Sequence, residues 1–204
     1  MQIFDNLGNS YITICFAIIS ILMAVLLYFQ VITSDQLYFD KYFIFQKSEY
    51  WRLLTSIFFT GSFNTQSLIA IGQMIICSSQ IESAFFSHRP ADYLLFNLFG
   101  WASLWIYAYF SSSPFLQYCF SDYLLYYFVK LSPEDFIIFL IPMKNKLFII
   151  VYTLFNLRRF KAYFTSVAAA HFYFFIKNVI NLRFNKNFLV FPEWINQKIL
   201  KIVS

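Results

Sequence analysis

The chain has 204 residues, of which 60% are hydrophobic and 12% charged, against roughly 45–50% and 25% in soluble domains. A chain this apolar cannot present a wetted surface, which excludes a soluble globular protein and leaves an integral membrane protein. Its net charge of +5 is a membrane-protein pattern that says little about nucleic acid; no Lys/Arg cluster is long enough to track phosphates along a strand, so no nucleic-acid partner is expected.

Six membrane spans are predicted, making an all-α membrane protein. The first is Tyr11–Val31. Asp5 precedes it without Lys, Arg or a small-residue cleavage site, so this span is expected to stay as a signal anchor. The segment Ile32–Arg52 alternates aromatic and charged positions and reads as an interfacial loop lying in the headgroups. Leu53–Ile81 and Tyr93–Ser121 contain no charged residue. The second span is drawn as Leu53–Ile81 and the third as Tyr93–Phe110, where roughly 20 apolar residues suffice to cross. Ser111-Ser112-Ser113-Pro114 turns the chain into a fourth span, Phe115–Val129, with Asp122 inside it. Glu134-Asp135 is read as capping a helix that begins after Pro133. Lys144 and Lys146 interrupt the fifth span and leave Leu147–Leu157 uncharged. At 1.5 Å per residue that run covers about 17 Å of a hydrocarbon core about 30 Å thick, so the bilayer thins or the cations snorkel. The sixth span is Ala162–Val179. The chain divides into an N-terminal tail (1–10), a six-helix membrane domain (11–180) and a short basic tail (181–204).

Lys and Arg set the orientation. With cytosolic termini, the cytosolic side holds Arg89, Lys130, Lys144, Lys146, Lys177, Arg183, Lys186, Lys198 and Lys201, and the other side Lys41, Lys47, Arg52, Arg158, Arg159 and Lys161. Nine against six favours both termini in the cytosol.

Few residues offer chemistry. Cys15, Cys77 and Cys119 lie in apolar runs without a C-x-x-C pair, which argues against disulfides or a zinc site. No cofactor or metal is expected. Trp51 and Arg52 stand where the loop meets the second span. They read as a boundary anchor or, more sharply, as a pair that distorts lipid and handles a client, with the Arg52 guanidinium among phosphates and Trp51 setting the loop's depth. Ser166 and Ala170 have the small-xxx-small spacing that lets helix backbones approach, and His171 follows them. A histidine in a late span raises a rhomboid-type serine protease, but that chemistry needs a serine in a Gly-x-Ser-Gly turn. Gly8-Asn9-Ser10 is the only Gly-x-Ser, and it precedes the first span. A small transporter is the other alternative; it would show internal repeats around a midplane site, and the chain has none. Arg89-Pro90-Ala91-Asp92-Tyr93 fills the gap between the second and third spans. Pro90 suits the first turn of a helix, while Arg89 and Asp92 suit the headgroup level.

Taken in order, Tyr50-Trp51-Arg52-Leu53-Leu54-Thr55, Ile81-Glu82-Ser83, Arg89-Pro90-Ala91-Asp92-Tyr93-Leu94, Arg159-Phe160-Lys161-Ala162 and His171-Phe172-Tyr173-Phe174-Phe175 resemble the Derlin family. These are the catalytically inactive, rhomboid-like pseudoproteases of the endoplasmic reticulum membrane. The resemblance implies a rhomboid-like bundle with an interfacial first loop and no catalytic residues. It implies a part in endoplasmic-reticulum-associated degradation and its induction by unfolded protein, with misfolded proteins drawn to the cytosol through a thinned, laterally open bilayer. The partners it implies are the lipid bilayer, misfolded clients, a membrane E3 ubiquitin ligase complex and a cytosolic AAA ATPase. Ser166 and Ala170 stand where the family has a late Gly-x-x-x-Gly, so a looser helix approach is expected. No Gly follows Gly100, so the family's Phe- and Gly-rich ATPase-binding box is missing, and ATPase recruitment is expected to be indirect.

Overall fold

In a computed structural model the described residues are 10–61, 63–111, 115–132, 135–138, 141–184 and 189–203. Helix α1 spans Tyr11–Tyr28; the first loop carries a 3-10 turn, Ser34–Gln36, and helix α2, Lys41–Gln46; α3 is Trp51–Phe58, α4 Thr65–Phe85, α5 Pro90–Ser111 and α6 Gln117–Leu131. A two-stranded antiparallel hairpin follows, β1 (Asp135–Ile138) on β2 (Ile141–Lys144), pairing Asp135 with Lys144 and Ile138 with Ile141. Helices α7 (Asn145–Phe155) and α8 (Phe160–Phe174) come next, the latter running through a π turn, Phe175–Ile180, into α9 (Asn181–Phe184); α10 is Glu193–Val203. The protein is an all-α membrane bundle with one small hairpin.

Among the described residues three helices are long and apolar enough to cross a bilayer: Tyr11–Tyr28, Ser67–Phe85 within α4, and Pro90–Ser111. The predicted second span is corrected. Leu53–Ile81 is not one helix, because α3 stops at Phe58 and α4 begins at Thr65. Two local signals cause the break. Gly61 adopts φ +91°, open to glycine at little steric cost. Asn64 then caps α4: its side chain accepts from the Ser67 N–H at 2.8 Å while the Ser67 hydroxyl accepts from the Asn64 N–H at 2.9 Å, a reciprocal capping box. The helix expected after Pro133 is likewise corrected. Asp135 opens a strand, in keeping with the β-forming run Phe136-Ile137-Ile138, while Pro133 and Glu134 lie outside the described residues.

Between helices in lipid, close packing and hydrogen bonds replace the hydrophobic drive available in water. Here aromatic rings fill that role. Phe96 lies 4.8 Å from Tyr123, 4.4 Å from Tyr127 and 5.0 Å from Tyr173 by ring centroid, joining α5, α6 and α8. A second cluster sets Phe16 of α1 5.1 Å from Phe58 and 5.7 Å from Trp101. Helix α6 lies inside, packed against α4, α5 and α8. On the outside Phe110, Phe155, Phe164 and Phe172 are exposed, as lipid-facing side chains must be.

Gly100 is required by a close approach. A Cβ there would meet the Tyr123 ring at 2.7 Å. That ring cannot swing aside, since its hydroxyl donates to the Phe96 carbonyl at 2.9 Å and its face stacks on Phe96. Gly100→Ala is therefore expected to cost about 1–2 kcal/mol by overpacking, read as a lower temperature of aggregation in detergent. A Gly100→Ala protein as heat-resistant as the wild type would show that α5 and α6 are not this close.

Hydrogen bonds define the two ends of the bundle. At one end Trp105 Nε1 donates to the Leu53 carbonyl at 2.9 Å and the Leu116 N–H to the Ser56 carbonyl at 3.2 Å, gathering α3, the end of α5 and the start of α6. At the other the start of α1, the end of α4, the start of α5 and the tail meet. Ser10 and residues 189–203 thus lie at the same end.

Candidate functional site: a buried loop clamp and a junction that holds the tail

Tyr50-Trp51-Arg52 opens α3, and its two functional candidates part company. Trp51 is 55% exposed, pointing outward. Arg52 is only 4% exposed, and the expectation that its guanidinium lies among phosphates is corrected. Its Nε donates to Glu49 Oε2 at 2.6 Å, and Nη1 donates to the carbonyls of Asp35 and Tyr38. The guanidinium also lies 4.6 Å from the Phe43 ring centroid. The rigid fork reaches a carboxylate and two carbonyls at once, a use of arginine's planar donors that lysine cannot copy. Thr55 Oγ1 adds a bond to the Leu37 carbonyl at 2.9 Å. Arg52 therefore fastens the first loop to the bundle from beneath. The partners are mostly main-chain oxygens, so nothing in the composition of the loop signals them.

At the opposite end Arg89-Pro90-Ala91-Asp92-Tyr93 forms a junction. Pro90 is the first residue of α5. Arg89 Nε pairs with Asp92 Oδ2 at 2.9 Å, and Asp92 is 1% exposed. The same two side chains take both polar groups of one tail residue: Asp92 Oδ1 accepts from the Phe191 N–H at 2.8 Å, and Arg89 Nη2 donates to the Phe191 carbonyl at 3.2 Å. The Ala91 N–H, an orphan of the first helical turn, donates to Asn196 Oδ1 of α10 at 2.9 Å. Asp92 is thus buried under the tail, at the end of the bundle. Lys177 Nζ sits 3.8 Å from the Phe86 ring centroid beside it.

Tyr93 carries the junction inward. Its hydroxyl hydrogen-bonds to Ser78 Oγ of α4, and Ser78 Oγ lies 2.8 Å from Thr13 Oγ1 of α1. Glu82 completes this end. Its carboxylate accepts from the N–H groups of Ile12 and Thr13 at 3.0 and 2.9 Å and from the Thr13 hydroxyl at 2.7 Å, an anion set at a helix N-terminus where the dipole favours it. Sequence reasoning placed Glu82 in a matching element without giving it a task. The available signal was an acid closing an apolar run; that Ser10 leaves the start of α1 uncapped, its hydroxyl donating to the Ser79 carbonyl at 3.3 Å instead, is seen only in the structure.

The remaining candidates lie on α6 and α8. Ser166 and Ala170 are fully buried on α8, which packs on α6 and α5. His171 points outward, its Nδ1 2.9 Å from the Tyr126 hydroxyl. Asp122 is buried and does not meet His171; it accepts from the Tyr152 hydroxyl at 2.8 Å and lies 3.6 Å from Arg159 Nη2. Cys15, Cys77 and Cys119 are free, and among the described residues no group of three or more His, Cys, Asp or Glu is placed to hold a metal.

These contacts define a polytopic helical membrane protein whose buried polar side chains fasten a loop, a turn and a tail to the bundle. The chain belongs to the Der1-like family, whose model matches residues 10–193. It is similar to Derlin-1 of Oryza sativa subsp. japonica, 26% identical over 94% of this chain and 80% of the relative. Derlin-1.1 of Zea mays is 26% identical over 94% and 79%, and Derlin-1 of Arabidopsis thaliana 26% identical over 76% and 60%.

Proposed function

We propose that this chain works as a derlin in endoplasmic-reticulum-associated degradation, helping misfolded lumenal and membrane proteins toward the cytosol. One observation carries the reading beyond family membership. Helix α7 has 11 residues, about 17 Å of rise against a core of about 30 Å; it packs against α6, itself only 15 residues, in a bundle whose candidate spans have 18 to 22 residues. A bilayer fitted to both must thin locally around α7, which lowers the barrier for a polar segment passing through a lateral opening there. A membrane E3 ubiquitin ligase and a cytosolic AAA ATPase complete the pathway, the ATPase reached through a partner subunit. Replacing the chain by an empty vector should slow clearance of a misfolded lumenal reporter; unchanged clearance with the chain absent would overturn the proposal.

The chain acts in this reading as a pseudoprotease. His171 hydrogen-bonds a tyrosine, and a histidine without an activated serine forms no acyl-enzyme. Purified protein is expected to leave a fluorophosphonate probe unreacted. Labelling abolished by changing one membrane serine to Ala would establish the opposite.

The proposed orientation has both termini in the endoplasmic reticulum's cytosolic face, supported by the nine-to-six distribution of Lys and Arg and by the shared end of Ser10 and the tail. In sealed microsomes, tags at residues 1 and 204 should both be digested by added protease, while one near Asp40 survives. Digestion of only one end tag would refute the orientation.

A further inference from the structure

The end of the bundle that holds the first loop also carries a groove of about 710 Å³. It lies between Tyr107 of α5 and the start of α6 on one side and the turn from α7 to α8 on the other, where Leu157–Arg159 forms a 3-10 turn. Arg158, Arg159 and Lys161 line it, against walls made by Tyr107, Phe115 and Phe160. Arg159 is pre-set: Nη2 donates to Asn156 Oδ1 at 2.6 Å, lies 3.6 Å from Asp122, and the guanidinium sits 5.2 Å from the Tyr118 ring centroid. Among the described residues Arg158 and Lys161 form no ion pair, and both are exposed. Three cations therefore share one carboxylate.

We propose that this groove binds the phosphodiester headgroup of a membrane phospholipid. The excess positive charge calls for an anion, and arginine's fork suits the paired oxygens of a phosphate. The aromatic and aliphatic walls select an anion that carries an apolar tail. Phe115, Leu157 and Phe160 are exposed at the groove, so an acyl chain can leave it along the outer face of α8, past Phe164. Because α7 is short, a headgroup held at its Arg158 end sits deeper than it would beside a full-length span. The site goes beyond the degradation reading and stands or falls without it.

The test uses the purified full chain in detergent with diazirine-labelled phosphatidylglycerol, set against a diazirine-labelled diacylglycerol of the same chains. Phosphatidylglycerol should label peptides around Tyr118 and Phe160. Each Lys or Arg beside an anionic headgroup contributes about fivefold in affinity, so Arg158→Gln with Lys161→Gln should weaken labelling about twenty-fivefold. Diacylglycerol labelling elsewhere on the protein should be unchanged in that variant, reporting that it is folded. The charge-preserving exchange Arg158→Lys with Lys161→Arg should retain labelling, and so should Lys198→Gln with Lys201→Gln in the tail. Equal labelling of wild type and double variant overturns the site. Displacement of the lipid by an equal concentration of inorganic phosphate would assign it to a free anion, and displacement by an acidic peptide to a polypeptide; either also overturns the proposal.

Discussion

Arg52→Ala is expected to loosen the first loop and lower the stability of the whole protein. The substitution removes the fork that joins Glu49, the Asp35 carbonyl and the Tyr38 carbonyl, and it empties the space over the Phe43 ring. Removing one partner of a buried charge pair costs about 3–5 kcal/mol; Glu49 keeps some access to solvent, so about 3 kcal/mol is the figure expected. Arg52→Lys keeps the charge toward Glu49 but cannot reach both carbonyls in one plane, and about half of that loss is expected. Trp51→Ala, at an exposed position, should cost well under 1 kcal/mol. The measurements are the aggregation temperature in detergent and hydrogen exchange across residues 32–50. Wild-type heat resistance and loop protection in Arg52→Ala would show that the clamp does not hold the loop. The buried geometry of Arg52 ties any part it has in handling a client to the stability of the loop. Clearance by Arg52 variants has to be compared at matched protein levels, because the variant itself should be depleted.

What the residues made legible follows from what kind of interaction each element rests on. Apolar runs, divided by the polar stretches around Arg89 and by the Ser111-Ser112-Ser113-Pro114 string, located α1, α5 and α6 to within a few residues, because transfer into lipid depends on composition and length. Pro90 marked the start of α5 for a local steric reason. The short α7 was visible because Lys144 and the Arg158-Arg159 pair bracket it.

The break at Gly61–Asn64 was missed although its signal was written locally. Summed hydropathy ran straight through Leu53–Ile81, while the turn chemistry of one glycine and one capping asparagine decided the backbone. The inward turn of Arg52 was illegible for a different reason. Its acceptors include main-chain carbonyls 14 and 17 residues away, and every residue type offers a carbonyl. The same holds for the tail, whose partner atoms on Phe191 are backbone groups. Asn196 is a side chain that could have been singled out, a buried polar residue on α10 between the half-buried Ile195 and Ile199.

That tail contact yields the second large effect. Asp92→Ala is expected to release residues 189–203 from the bundle. It deletes the acceptor of the Phe191 N–H and the partner of Arg89, two charge-assisted hydrogen bonds at about 1.5 kcal/mol each, near 3 kcal/mol together. Arg89 is partly exposed, so the freed guanidinium regains water and the damage stays local. Asp92→Asn keeps an acceptor for Phe191 but gives up the ion pair, and an intermediate release is expected. Asn196→Ala should expose the Ala91 N–H alone, at about 1 kcal/mol. Hydrogen exchange separates these outcomes: in Asp92→Ala the amides of residues 189–203 should exchange as freely as an unfolded peptide, while those of α5 and α6 around Tyr93 and Tyr123 stay protected. Protection lost across α5 as well would mean that Asp92 supports the helix itself and not the tail. Protection kept in the tail would mean that α10 is held by its apolar contacts with α5, and that the junction formed by Arg89 and Asp92 has no part in fastening it.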